Sequence, residues 1–114
     1  MYDITPSCSG TGMSGYGYIY QRTRGIHLRL RSRAFIIEEN GKYLVYVALE
    51  LGMTSLVMKK EILSELQKRY GDIFNDENVL IAPTHTHSAP GGYTGYLIYD
   101  VCTPGFDREA FHVM

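Results

Sequence analysis

Glu38-Glu39-Asn40-Gly41-Lys42-Tyr43-Leu44-Val45-Tyr46-Val47-Ala48-Leu49-Glu50 is the stretch that decides the fold class. Asn-Gly between two runs of strand-forming residues is the strongest short hairpin signal, because both turn positions require positive φ. The run after the turn, Tyr43 to Leu49, is apolar at every position, so it needs cover on both faces and belongs inside a sheet.

Upstream, Ile26, Leu28, Leu30, Ala34 and Ile36 alternate with His27, Arg29, Arg31 and Arg33. Period two predicts a strand that begins at Ile26, with one apolar and one basic face. Residues 1–25 are rich in turn-formers and carry neither strand nor helix period. Downstream, Gly52 to Ser55 breaks the strand, with Thr54 or Ser55 placed to cap a helix. Met58, Ile62, Leu63, Leu66 and Tyr70 form its apolar stripe, and Gly71 stands where a C-terminal glycine belongs. A polar turn, Asn75 to Asn78, then leads into Val79-Leu80-Ile81-Ala82. Strand, helix and strand at this spacing make a βαβ unit with parallel strands. The predicted class is α/β, a mixed sheet in which a β-hairpin is followed by a βαβ unit. A further helix start is read at Asp107-Arg108-Glu109. The chain stops soon after without a cap or a stop signal, so it is expected to be cut from a longer one.

Composition narrows the function classes. Eleven Lys and Arg against twelve Asp and Glu give a net charge of −1, which offers no electrostatic case for a nucleic-acid partner or a polybasic anchor. The longest apolar run, Tyr43 to Leu49, falls far short of the roughly 20 residues that span a bilayer, so no transmembrane segment is expected. No signal peptide is read at the start. Cys8 and Cys102 are read as two unconnected thiols.

Two motifs compete for attention. Gly10-Thr11-Gly12-Met13-Ser14-Gly15 matches a dinucleotide fingerprint in its letters. That motif works only between a strand and a helix N-terminus, and a Thr-Pro segment and Tyr-Gly-Tyr flank it instead, so it is read as a turned loop. Pro83-Thr84-His85-Thr86-His87-Ser88-Ala89-Pro90-Gly91-Gly92 is more informative. It starts where the last strand ends, at the carboxyl edge of a parallel pair, where α/β sheets place their ligands. In extended backbone, side chains two apart share a face about 7 Å apart. Two imidazoles so placed can converge on one metal, or one can bind metal while the other faces substrate. Thr86 and Ser88 would then turn to structural hydrogen bonds. Glu50 reads as a carboxylate partner of the histidines, as one half of a salt bridge or as a helix cap. His27 reads as a hydrogen-bonded structural histidine.

The sequence resembles the neutral/alkaline non-lysosomal ceramidase family. The stretches that carry the likeness are Asp3-Ile4-Thr5, Met13-x-Gly15-Tyr16, Gly25 through Ile36, Leu49-x-Leu51-Gly52-Met53, Arg69-Tyr70-Gly71-Asp72 and Glu77 through Ile81. The most specific are Thr84-His85-Thr86-His87-Ser88-x-Pro90-Gly91-Gly92, Tyr99-Asp100 and Gly105-Phe106. The resemblance implies a zinc-dependent amidase that hydrolyses the N-acyl bond of ceramide to sphingosine and fatty acid. It implies His85 as a zinc ligand, His87 as the catalytic and substrate-binding residue that helps polarise the scissile amide, and Gly15 as a lining of the headgroup pocket. It also implies Zn2+ as cofactor, ceramide as a lipid partner met at a membrane surface, and a secreted or cell-surface setting. Pro83 and Ala89 stand where the family usually has glycine, so a stiffer loop is expected. The family's other zinc ligands (a His, a Glu and a Tyr), an Arg and a catalytic Ser come from segments beyond these, so residues 1–114 are expected to be the N-terminal, incomplete part of a larger catalytic domain and inactive alone. A metal-dependent amidohydrolase of another family and a non-catalytic truncated α/β module are the alternatives.

Overall fold

Asn40 and Gly41 both take positive φ, 51° and 75°, and turn the chain between β2 (Arg31–Glu39) and β3 (Lys42–Leu49) as Asn-Gly demands. The two strands pair antiparallel along their whole length, from Glu39 opposite Lys42 to Ser32 opposite Leu49. This computed structural model describes residues 1–114. A two-residue strand, β1 (Tyr2–Asp3), adds to the outer edge of β2, and β4 (Val79–Pro83) runs parallel to β3, giving the order β1-β2-β3-β4. The doubly apolar strand is therefore interior, as its composition requires.

Helix α1 (Leu56–Tyr70) crosses from β3 to β4. Its N-cap is Ser55, whose hydroxyl accepts from Met58 N–H at 3.2 Å. Gly71, at φ 67°, closes its C-terminus and donates to Gln67 O. Two short helices complete the chain, α2 (Leu97–Asp100) and α3 (Arg108–Val113), the latter capped by the Asp107 carboxylate. The core is small and lies on the helix side of the sheet: Ile4, Leu30, Leu49, Leu51, Met58, Ala89 and Tyr93, with Val47, Ile62 and Ile81 packed against it. An apolar cleft of about 930 Å³ remains on this side, between the sheet, α1 and the C-terminal residues Phe111 to Met114. The other face of the sheet is bare, presenting Phe35, Ile37, Leu44, Tyr46 and Leu80.

One boundary differs from expectation. The alternation at residues 26–30 forms no strand; β2 begins at Arg31. Alternation defines which residues share a face, but a strand also needs a neighbour, and β3 ends opposite Ser32. Ile26 and Leu28 are left exposed, and only Leu30 turns inward, held by its N–H to the Thr5 hydroxyl at 2.8 Å.

Candidate functional site

β4 ends at Pro83, and the next four residues carry the histidine pair along the carboxyl edge of β3 and β4. Thr84 N–H donates to Leu49 O at 2.8 Å and Thr86 N–H to Leu51 O at 3.2 Å, so the loop stays pinned to the end of β3. The backbone is not extended through the pair: His85 takes φ 61°. With the chain turned there, the two rings meet edge to face, centroids 5.0 Å apart, closer than strand spacing would put them. Thr86 serves structure, its hydroxyl accepting from Ser88 N–H at 3.1 Å.

The glycine segment is the partner of this loop. Ser14 N–H donates to Ala89 O at 3.1 Å, Gly91 N–H donates to Gly12 O at 2.9 Å, and Met13 bridges Pro90, so residues 12–15 run antiparallel beside 89–91. Gly15, at φ 81°, lies against the His87 ring so closely that a Cβ there would overlap it. His87 Nδ1 stands 3.0 Å from Ser14 O, and the Tyr16 ring approaches the imidazole edge-on at 6.4 Å. The six-residue glycine run thus serves close approach of two backbones, not a phosphate cradle.

Behind the two loops is a buried support. Thr103 fills the space that a side chain at Gly12 or Gly91 would need. Thr103 is in turn bonded through its N–H and hydroxyl to Asp100 O. The buried Asp100 carboxylate accepts from Thr94 N–H, the Thr94 hydroxyl and Gly95 N–H at 2.8–3.1 Å. Tyr93 is fully buried, its phenol both donating to Met53 O and accepting from Met53 N–H at 3.2 Å. Burial pushes that phenol above its ordinary range, opposed in part by hydrogen bonds from Met53, Gly52 and the Ser14 side chain.

Sequence reasoning missed Ser14, Tyr93 and Asp100 as supports. Ser14 and Tyr93 find their partners 73 and 40 positions away, and Asp100, though its partners are local, sits in a loop with no period to mark it. One subsidiary expectation needs correction, and the alternatives read for Glu50 resolve to the salt bridge. His27 is exposed and makes no hydrogen bond, because the strand meant to hold it does not form. Glu50 serves the basic face instead of the histidines: Arg33 donates to one of its oxygens at 2.6 Å and Arg31 N–H to the other at 2.8 Å. Arg29 and Arg31 are both paired with Asp3 at 3.5 Å, which leaves no free basic patch.

Two imidazoles suit zinc, but a catalytic zinc site takes about three protein ligands. No cluster of three His, Cys, Asp or Glu forms anywhere in the chain. The pair fits zinc as part of a donor set and not as the whole of one. His85 and His87 are not among the residues that line the large apolar cleft, which opens on the helix side.

The family model described as "Neutral/alkaline non-lysosomal ceramidase, N-terminal" matches residues 1–114. The neutral ceramidase of Oryza sativa subsp. japonica is 44% identical over 114 residues, covering 99% of this chain and 14% of that protein. The neutral ceramidase of Pseudomonas aeruginosa is 40% identical over 114 residues, covering 98% of this chain and 17% of the relative. Its crystal structure superposes with a TM-score of 0.94 at 41% identity, covering 97% of this chain and 18% of that one. The chain spans less than a fifth of the length of these relatives.

Proposed function

Because the chain belongs to the neutral/alkaline non-lysosomal ceramidase family, we propose that it is the N-terminal part of a zinc-dependent amidase that hydrolyses the N-acyl bond of ceramide, releasing sphingosine and fatty acid. The observation that carries this reading is the 5.0 Å pairing of His85 and His87 at the carboxyl edge of the sheet, within the family's most specific stretch. His85 is the proposed zinc ligand, one of a set completed by residues outside these 114. Bound zinc supplies Lewis-acid charge at an amide carbonyl.

His87, packed on Gly15 and bonded to Ser14 O, is the residue proposed to touch the reacting amide. Gly15 keeps the wall of the headgroup pocket free of a side chain. Ceramide as substrate implies work at a lipid surface, and no helix of the chain is long and apolar enough to cross a membrane.

A chimera tests the reading. Residues 1–114 replace the matching segment of the Pseudomonas aeruginosa enzyme, and fatty-acid release from a fluorescent ceramide is followed together with bound zinc. Turnover is expected in the chimera, none in the 114-residue chain alone. His85→Ala should lose metal and activity, and His87→Ala activity with metal retained. Zinc lost in His87→Ala and kept in His85→Ala would reverse the two roles.

A further inference from the structure

His87 is held by a group that can only accept. The Ser14 carbonyl lies 3.0 Å from its Nδ1, and a carbonyl oxygen has no proton to give, so this contact is a hydrogen bond only if Nδ1 carries the hydrogen. Unconstrained neutral imidazole is free to carry its proton on either nitrogen, and the partner of one nitrogen decides the state of the other.

We propose that the Ser14–Gly15 turn is a tautomer lock: it holds neutral His87 in the Nδ1–H form, leaving Nε2 as a hydrogen-bond acceptor toward the site. Three features fix the lock. Ser14 is clasped to the histidine loop at two points, by its N–H to Ala89 O at 3.1 Å and by its carbonyl to the ring. Ser14 is also buried, its hydroxyl filling the space beside Gly52, so its carbonyl cannot turn away without repacking. Gly15 supplies the room: it adopts φ 81°, and any Cβ would occupy the position of Nδ1 and Cε1 of the ring. Ser14 and Gly15 are therefore positioning residues that act through His87.

The chemical consequence sharpens the proposed function and rests on it for its meaning, though not for its geometry. With Nδ1–H committed to Ser14 O, a neutral His87 has no N–H to offer a carbonyl oxygen. It accepts instead, from an N–H or O–H of a bound molecule. An N-acyl amino alcohol carries both kinds of donor. The role of His87 then becomes orientation through the donors of the substrate, and polarising the amide oxygen falls to other groups.

The test reads ring nitrogens directly. Long-range proton–nitrogen correlation spectra of the chimera described above, labelled with 15N at histidine and freed of metal, distinguish the protonated from the lone-pair nitrogen in each imidazole. His87 is expected to show Nδ1–H as the dominant form, whereas His27, exposed and without a hydrogen bond, shows the ordinary mixture. Gly15→Ala should return His87 to the His27 pattern, and Gly17→Ala, where a Cβ meets nothing within 4 Å, should leave it locked. A wild-type His87 with its proton on Nε2, or a lock that survives in folded Gly15→Ala, overturns the proposal. Should Gly15→Ala not fold, the wild-type spectrum alone decides. Failure of the chimera to cleave ceramide while the Nδ1–H form persists would count against the proposed function and leave the lock standing.

Discussion

Residues 31–83 and the loops that meet at the histidines, 10–23 and 84–107, are built by different means. The first region is held by ladders and periodic packing: eight register pairs between β2 and β3, five between β3 and β4, and a helix laid across one face. The second has almost no regular structure. It is held by single hydrogen bonds between distant residues, by glycines that let backbones touch, and by the buried Asp100 and Thr103 behind them. Periodic structure spreads stability over many small contacts, whereas the loops concentrate it in a few. The first region should therefore fail as a whole and the second in parts.

The largest effect is expected at Leu49, which is 2% exposed and central to the core. Leu49→Ala should cost about 3 kcal/mol in denaturant unfolding, the middle of the range for such truncations. Both regions should be lost in one transition, because Thr84 hangs from Leu49 O.

Asp100→Ala should break the contrast the other way. It leaves the N–H groups of Thr94 and Gly95 without their acceptor, at a cost on the order of 2–3 kcal/mol. Amide exchange should speed up by roughly a hundredfold at Gly91, Gly105 and Asp107 and stay nearly unchanged in β2 and β3, since about 1.4 kcal/mol corresponds to tenfold. Uniform acceleration across the sheet would mean that the two regions are one cooperative unit.

A smaller change is expected from Ser55→Ala, which removes the acceptor for Met58 N–H. About 1 kcal/mol of stability should go, as a lower unfolding midpoint at unchanged slope. The smallest effect is electrostatic. The Thr5 hydrogen bonds, aided by Arg31 and Arg29, hold the Asp3 carboxyl below the ordinary carboxylate range. A lowered folded-state pKa contributes stability above the unfolded value and loses it as pH falls through the folded one. Protection of the Ile4 amide, whose N–H donates to Leu30 O, should fall relative to its intrinsic exchange rate as pH drops below about 4, and Asp3→Asn should abolish that dependence.

The same division explains what could be read from the chain. The Asn40-Gly41 turn, the Ser55 cap, the Gly71 stop and the parallel return at Val79 were all legible, because each depends on residues within a few positions of one another. Residues 26–30 misled because their alternation is genuine but has no neighbouring strand. In the site, the place of the histidine pair at the carboxyl edge of the sheet was legible but its geometry was not. The positive φ of His85 leaves no mark in composition, and the acceptor that orients His87 is a backbone carbonyl 73 positions away. The family resemblance named His85, His87 and Gly15; it did not say what Ser14, Tyr93 and Asp100 do to hold them.

The left-handed turn at His85 has a consequence for anyone evolving this domain. A non-glycine residue at φ 61° costs on the order of 1–2 kcal/mol, against a total margin of roughly 5–15 kcal/mol for a domain. Glycine at position 85, free to take positive φ, would relieve that cost. A library screened only for heat resistance should therefore drift toward glycine there and discard the imidazole proposed above as a zinc ligand. Holding position 85 constant while the rest of the chain is randomised lets thermal selection improve the scaffold while the paired imidazoles are kept.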